Sequence, residues 1–197
     1  YSTSIYLAVS NLNSEFKKFI PFKNVTFIEV GYTETVLDSI YKSLEKIAEK
    51  SIAIIPITTV PELPNSKKNA CYFGSRKIPK ENWASISKID NGNYKFHFKN
   101  DSKSYGFFSY PCTGRLIAEK SHLQNSINEI EHNKKADILS LAQILIEKFN
   151  YDIVFEKWLD IGHEATYIDT KLTSMTSRFF NNITYNKENN PARSSDF

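Results

Sequence analysis

The stretch Trp158-Leu159-Asp160-Ile161-Gly162-His163-Glu164 gathers carboxylates, a glycine and an imidazole around one predicted turn. Ile153 to Trp158 reads as a strand, and Asp160 stands at its carboxyl end. Gly162 and a helix whose first turn carries Glu164 follow. Open α/β sheets keep their ligand chemistry at the carboxyl ends of strands, and a glycine there lets the backbone pass close to a ligand. Asp is equally at home as the cap of the helix behind it, so by itself this stretch weighs the two uses evenly.

Other residues bear on the same question. In Gly31-Tyr32-Thr33-Glu34-Thr35 a strand ends in glycine, and a helix begins with two hydroxyls and an acid. Backbone N–H groups at such a start suit a phosphate or a base edge, and a simple capping motif accounts for the same residues. Thr58-Thr59 ends the next strand, where a nucleotide enzyme would carry a carboxylate for Mg²⁺; the nearest acid is Glu62, and β-propensity explains the threonines as well. Lys99 and Lys103 flank Asp101 and could reach a phosphate, although a lysine-bearing loop is ordinarily a solvated surface. In Cys112-Thr113-Gly114-Arg115 a turn precedes an apolar strand, and Gly114 would let a sugar ring approach. His163 is an acid–base candidate whose ordinary alternative is a hydrogen-bonded structural residue. No Ser-His-Asp or Cys-His order can be argued. The six glycines form no phosphate-cradling loop.

The elements that would position these residues are predicted from apolar periodicity. Ser4 to Ser10 and Val25 to Val30 read as strands, with a short helix at Ser14 to Ile20 between them. Thr33 to Lys50 is the strongest helical signal, with Val36, Ile40, Leu44 and Ile47 at helical spacing. Ser51 to Ile57, apolar on both faces, reads as a parallel strand covered by helices. Strand, strand, helix, strand argues a βαβ-built sheet. Val60 to Lys68 reads as a loop. Trp83 to Asp90 and Tyr94 to Lys99 alternate on either side of Asn91-Gly92-Asn93, a hairpin signal. Extended segments at Ser104 to Tyr110 and Gly114 to Ala118 come next, then helices at Ser121 to Glu131 and Asp137 to Phe149. The second of these buries Ile138, Leu141, Ile144, Leu145 and Phe149. A helix at Thr166 to Phe180 completes the domain.

With 25 basic and 22 acidic side chains scattered together, the net charge of +3 lacks the concentrated basic stripe of a nucleic-acid binder. No apolar run approaches the ~18 residues of a membrane span, and no secretory signal opens the chain. Cys71 and Cys112 have no metal-ligand spacing and read as buried free thiols. A cytoplasmic, reduced protein with no nucleic acid and no membrane partner is the expectation. Tyr1 is not an initiator Met, and Asn186 to Pro191 reads as a linker. The chain is therefore expected to be a processed product, an excised segment or a piece of something longer, with a domain over residues 1–185 and a linker or start of another segment over 186–197.

Trp158-Leu159-Asp160-Ile161-Gly162-His163 resembles the W-x-D-x-G-[TH] element of the sugar-phosphate nucleotidyltransferase superfamily. The continuation Tyr167…Lys171…Arg178-Phe179-Phe180-Asn181 resembles a subgroup from bacterial capsule and surface-polysaccharide loci. There a kinase-like domain often follows, opening near an element like Arg193-Ser194-Ser195. The resemblance implies a Rossmann-like (GT-A-like), mostly parallel mixed sheet flanked by helices, with a β-hairpin insertion in the middle. It implies attack by a sugar phosphate, or another phosphorylated small molecule, on the α-phosphate of an NTP, releasing pyrophosphate. Asp160 would be catalytic and hold Mg²⁺, and Lys99 would be catalytic beside it. Gly31, Thr33, Glu34, Thr35 and Thr58 would contact the nucleotide; Thr113, Gly114 and His163 would contact the sugar.

Two departures from the superfamily pattern stand out. The G-x-G-T-R-x(n)-P-K loop is missing and would lie upstream of Tyr1, and the first metal-binding Asp aligns with Thr58 or its neighbour. A non-catalytic binding or scaffold module of a larger capsule-biosynthesis protein is therefore the alternative. A GT-A glycosyltransferase is weaker, because no Asp-x-Asp is present.

Overall fold

The computed structural model describes residues 4–11, 25–61, 67–79, 83–89, 92–98, 108–130 and 137–160. The chain divides into two compact units, Tyr1–Trp158 and Leu159–Phe197, and the described residues of the second are Leu159 and Asp160. The helices expected at 14–20 and 166–180 and the linker from residue 186 lie outside the described residues.

The first two apolar runs become strands β1 (Ile5–Val9) and β2 (Val25–Glu29), which pair in parallel from Ile5 opposite Val25 to Val9 opposite Glu29. Helix α1 (Val36–Lys46) starts at a capping box: Thr35 accepts from the Asp38 amide, and the Asp38 carboxylate accepts from the Thr35 amide. Its buried stripe is Leu37 and Leu44, seven residues and two turns apart, while Val36 is 51% exposed. The helix ends earlier than expected. Ile47 takes extended backbone angles (φ −100°, ψ 130°) and packs with Ile28 and Val30 of the β1–β2 layer. Tertiary burial of one isoleucine outweighs continuation through three polar or small residues.

Strands β3 (Ser51–Ile54), β4 (Thr59–Pro61), β5 (Ala70–Gly74), β6 (Ile78–Pro79), β7 (Ser85–Lys88) and β8 (Tyr94–His97) come before the long β9 (Phe108–Glu119). Helices α2 (Lys120–Ile130) and α3 (Ile138–Phe149) and strands β10 (Asp152–Glu156) and β11 (Trp158–Asp160) come after it. β9 organises the main sheet, whose path runs β10-β5-β9-β7-β8. It runs antiparallel to β3 (Ile54 opposite Leu116), β5, β6 and β7, while β10 lies parallel to β5.

The result is a mixed sheet flanked by helices. β1–β2 and β5–β10 pair in parallel, whereas β9 opposes β3, β5, β6 and β7, so the main sheet is less parallel than expected. β3 is one of them, so its apolar run does not mark a parallel strand. One face of that run stays open, with Ile55 44% and Ile57 76% exposed. The expected hairpin joins β7 and β8, with Lys88 opposite Tyr94 and Gly92 at φ +81°.

Helices α1, α2 and α3 cover one sheet face with Leu37, Leu44, Leu123, Ile127, Leu139, Leu141 and Leu145. These pack on Cys71, Phe73, Ile86, Leu116 and Ala118. The opposite face carries a smaller cluster of Ala70, Tyr72 and Ile117. No helix among the described residues is long and apolar enough to cross a membrane.

Both cysteines are free thiols. Burial pushes the Cys71 thiol well above its usual value and the Cys112 thiol up to about 12. In the unfolded chain a thiol ionises near pH ~8.5. The folded protein therefore holds these protons longer, and the stability they contribute is present below pH ~8.5 and lost as pH rises towards 12. Each adds up to about 1.4 kcal/mol per pH unit to that decline. Urea midpoints at pH 8, 9.5 and 10.5 are expected to fall more steeply for the wild type than for Cys112→Ala. Equal slopes would remove Cys112 from the explanation.

Candidate functional site

The chemistry-bearing residues of the first unit converge where β9 is irregular. Phe73 pairs with Cys112 and Cys71 with Leu116, so two steps along β5 match four along β9. The extra residues form a bulge at Thr113-Gly114-Arg115, with Gly114 at φ +75°. The turn expected at Cys112 to Arg115 is thus a bulge inside one continuous strand. Bulges re-aim side chains and gather near functional sites.

Three strands meet over this bulge. The Arg115 guanidinium lies on the Tyr72 ring of β5, 4.1 Å from its centroid, and reaches past it to β10. There Nη1 donates to Glu156 Oε2 at 2.5 Å. Arg115 is 1% exposed and Glu156 6%. The Thr113 hydroxyl accepts from the Arg115 amide (3.2 Å) and shares its proton between the Tyr72 carbonyl (3.0 Å) and Glu156 Oε1 (3.3 Å). The Thr113 carbonyl in turn accepts from Thr59 Oγ1 at 3.0 Å.

That last bond carries the network into the loop after β3. The Thr59 amide donates to the Pro56 carbonyl at 2.9 Å, closing a turn whose corner residues, Ile57 and Thr58, are exposed. Pro56 packs on Gly114: a Cβ added to Gly114 would lie 2.5 Å from Pro56 Cγ. So the structure brings together Thr58, Thr113 and Gly114, which the sequence marked separately. It also explains the glycine. Its left-handed backbone and missing side chain admit the proline ring.

The Gly31–Thr35 stretch is a pinned turn. Gly31 has φ +68°, Lys42 Nζ donates to the Tyr32 carbonyl (2.9 Å) and Lys46 Nζ to the Glu29 carbonyl (2.6 Å). The Thr33 and Ser39 hydroxyls lie 2.7 Å apart. The amides of Glu34 and Thr35 both donate to Asp38 Oδ2. A carboxylate already occupies the helix start, which disfavours a phosphate there and leaves the turn suited to an uncharged edge. Tyr32 is 84% exposed.

The predicted strand from Ile153 to Trp158 is broken at Lys157, giving β10 and β11. The Trp158 indole fills the space over Gly74, where a Cβ would lie 2.2 Å from Nε1, and meets Trp83 edge-on at 5.3 Å between centroids. Asp160 ends β11 and is buried, 8% exposed. Lys99, Lys103, Gly162, His163 and Glu164 lie outside the described residues. Sequence reasoning quoted Thr59 and Arg115 only as neighbours of Thr58 and Gly114, and missed Pro56, Tyr72 and Glu156 as parts of the site. The available signal was a charge set against an apolar run in each of two strands, Arg115 before Leu116-Ile117-Ala118 and Glu156 after Ile153-Val154-Phe155.

Among the described residues no three His, Cys, Asp or Glu side chains gather as a metal cluster. The carboxylate of the bulge network, Glu156, is engaged by Arg115. The bulge and turn of the first unit therefore do not by themselves fit a divalent cation.

The mixed sheet flanked by helices is a fold found in solved structures of other proteins. Solved structures sharing it include a putative glucose-1-phosphate thymidylyltransferase from Bacillus anthracis. That structure matches with a TM-score of 0.58 and 14% identity over 80% of this chain and 70% of that one. The inositol-1-phosphate CTP transferase from T. maritima matches with 0.56 and 11% over 90% and 76%. HddC from Yersinia pseudotuberculosis matches with 0.54 and 13% over 84% and 76%. No family model and no curated protein matches the chain. At these identities the likeness is one of fold.

Proposed function

We propose that the chain is a nucleotidyltransferase-like domain that binds an NTP and a sugar phosphate or similar phosphorylated small molecule. Its setting would be bacterial surface-polysaccharide synthesis, as the resemblance of Trp158 to Asn181 implies. The observation that carries the reading is the docking of the Pro56–Thr59 turn on the Thr113–Gly114 bulge. On a fold shared with these enzymes, it brings the expected nucleotide contact and the expected sugar contact side by side. In this reading the pinned Gly31–Thr35 turn takes the base, with Tyr32 open beside it. Gly114 and Thr113 offer backbone groups to the acceptor, and Thr58 offers a neutral hydroxyl to the nucleotide. Asp160 would hold Mg²⁺ with oxygens from the NTP phosphates and water, since Mg²⁺ commonly takes one or two protein carboxylates and draws the rest from substrate. Bound there, the ion would neutralise phosphate charge as pyrophosphate leaves.

Thr58 in place of a carboxylate favours a second reading, a binding module without turnover. Isothermal titration with each NTP, with and without Mg²⁺, tests both. Mg²⁺-dependent micromolar binding of one nucleotide supports the first reading, and turnover with a sugar phosphate then separates enzyme from module. Binding of none of them overturns both. Asp160→Asn is expected to abolish the Mg²⁺-dependent part of binding; unchanged binding in that variant removes Asp160 from the site.

A further inference from the structure

We propose that the buried Arg115–Glu156 pair is a positioning device: through Thr113 it fixes the Pro56–Thr59 turn, and with it the presentation of Thr58 and the Gly114 backbone to substrates. This rests on the reading of that turn and bulge as the substrate site, and adds two residues that need not touch substrate.

The argument starts from what the pair is surrounded by. Its side of the sheet is apolar, built from Ala70, Tyr72, Ile117 and Val154. Two charges buried there are weak contributors to stability, since a well-packed apolar pair commonly serves as well. What a charged, hydrogen-bonded pair adds is direction. Arg115 and Glu156 belong to strands that do not pair with each other, β9 and β10, and the contact spans β5 between them.

The second carboxylate oxygen is 3.3 Å from the Thr113 hydroxyl, and that hydroxyl also takes the Arg115 amide. Glu156 therefore orients both ends of the bulge. The Thr113 carbonyl, aimed by that arrangement, is the acceptor for Thr59 Oγ1. Gly114, held at φ +75°, receives the Pro56 ring. The hydrogen bonds among Glu156, Thr113 and Thr59 are buried, and the chain ends at a turn whose corner residues, Ile57 and Thr58, are exposed. Both ends of that turn are tied to the bulge, Thr59 by its hydroxyl and Pro56 by its ring.

The test uses the full chain with Glu156→Gln, Thr113→Val and the apolar double substitution Arg115→Met with Glu156→Leu. Two readouts are taken. Amide exchange is followed at Thr59, whose N–H closes the turn, and at Arg115, whose N–H reaches Thr113, with Leu141 and Leu145 of α3 as internal references. Initial rates are measured with the NTP that titration selects and with glucose 1-phosphate as the acceptor probe. The proposal predicts at least tenfold faster exchange at Thr59 and at the amide of position 115 in all three variants, with the α3 amides unchanged. It also predicts a KM for glucose 1-phosphate raised at least tenfold while kcat stays within about threefold.

The double substitution is expected to retain the fold where a single one loses it, so it carries the test if Glu156→Gln fails to fold. Wild-type exchange at Thr59 in a folded variant overturns the proposal. So does a loss confined to kcat with KM unchanged. If the wild type neither binds nor turns over any probe, the site reading falls, and the exchange rates still decide whether the pair fixes the turn.

Discussion

Glu156→Ala is expected to destabilise the protein by about 3–5 kcal/mol, the range for removing one partner of a buried ion pair. The substitution leaves the Arg115 guanidinium, 1% exposed, against the Tyr72 ring with its carboxylate gone. The substitution removes the bond from Nη1 to Oε2 in a desolvated setting. It also strips Thr113 of one of its two acceptors. Replacing both partners, Arg115→Met with Glu156→Leu, removes the charges together and is expected to cost far less, with a folding free energy within about 1–2 kcal/mol of wild type. Urea unfolding of the two variants side by side decides the matter. Equal losses would mean that side-chain volume at these positions matters and the charge does not.

The second large effect lies at Gly74. An alanine there puts its Cβ 2.2 Å from Trp158 Nε1, 2.7 Å from Cδ1 and 2.8 Å from Pro111 Cγ. None of these atoms is the tip of a flexible chain: one ring is an indole wedged against Trp83, the other a proline inside β9. Overpacking of this kind costs typically about 1–3 kcal/mol, and a chain of this size shifts by about 2–4 °C in Tm for each kcal/mol. A fall of several degrees, with a shift in tryptophan emission as Trp158 leaves its seat, is the expected result. In a Trp158→Ala background the same glycine substitution should cost little, because the obstacle is gone. A penalty of the same size in both backgrounds would show that Gly74 is needed for its backbone and not for the indole.

How much of this could be read from the chain is best judged residue by residue. A helix cap around Thr33 to Thr35 was visible because caps are local, and the structure adds Asp38, three residues beyond Thr35, as its partner. The Asn-Gly hairpin and α3 were visible for the same reason, one through turn chemistry and the other through a repeating stripe. β5 was missed. Ala70-Cys71-Tyr72-Phe73-Gly74 is short, follows a breaker-rich loop and is buried at every position, so it lacks the alternation that marks a half-exposed strand. The antiparallel sense of β3 was also out of reach, since an apolar run carries no information about the direction of its neighbour.

The site divides along the same line. Thr58, Thr113 and Gly114 were each noticed for their own chemistry, whereas their meeting depends on pairings between residues 54 and 116 and between 73 and 112. Arg115 and Glu156 are 41 residues apart. Each alone looks like an interruption of an apolar strand. Only the sheet order turns two interruptions into a pair.

The strand that makes these pairings arrives late. Among the described strands, β3 and β6 find their only partner in β9, and β5 finds partners only in β9 and β10. On a ribosome, more than half of the chain emerges before residue 108, with these strand edges unpaired. Such edges invite association with other chains, and pairings between distant residues form slowly. Truncations ending before Phe108 should therefore collect in aggregates. Synthesis past Glu119 supplies the strand that β3, β5, β6 and β7 pair with, and synthesis past Glu156 adds β10 and completes the main sheet, after which the nascent protein is expected to resist protease.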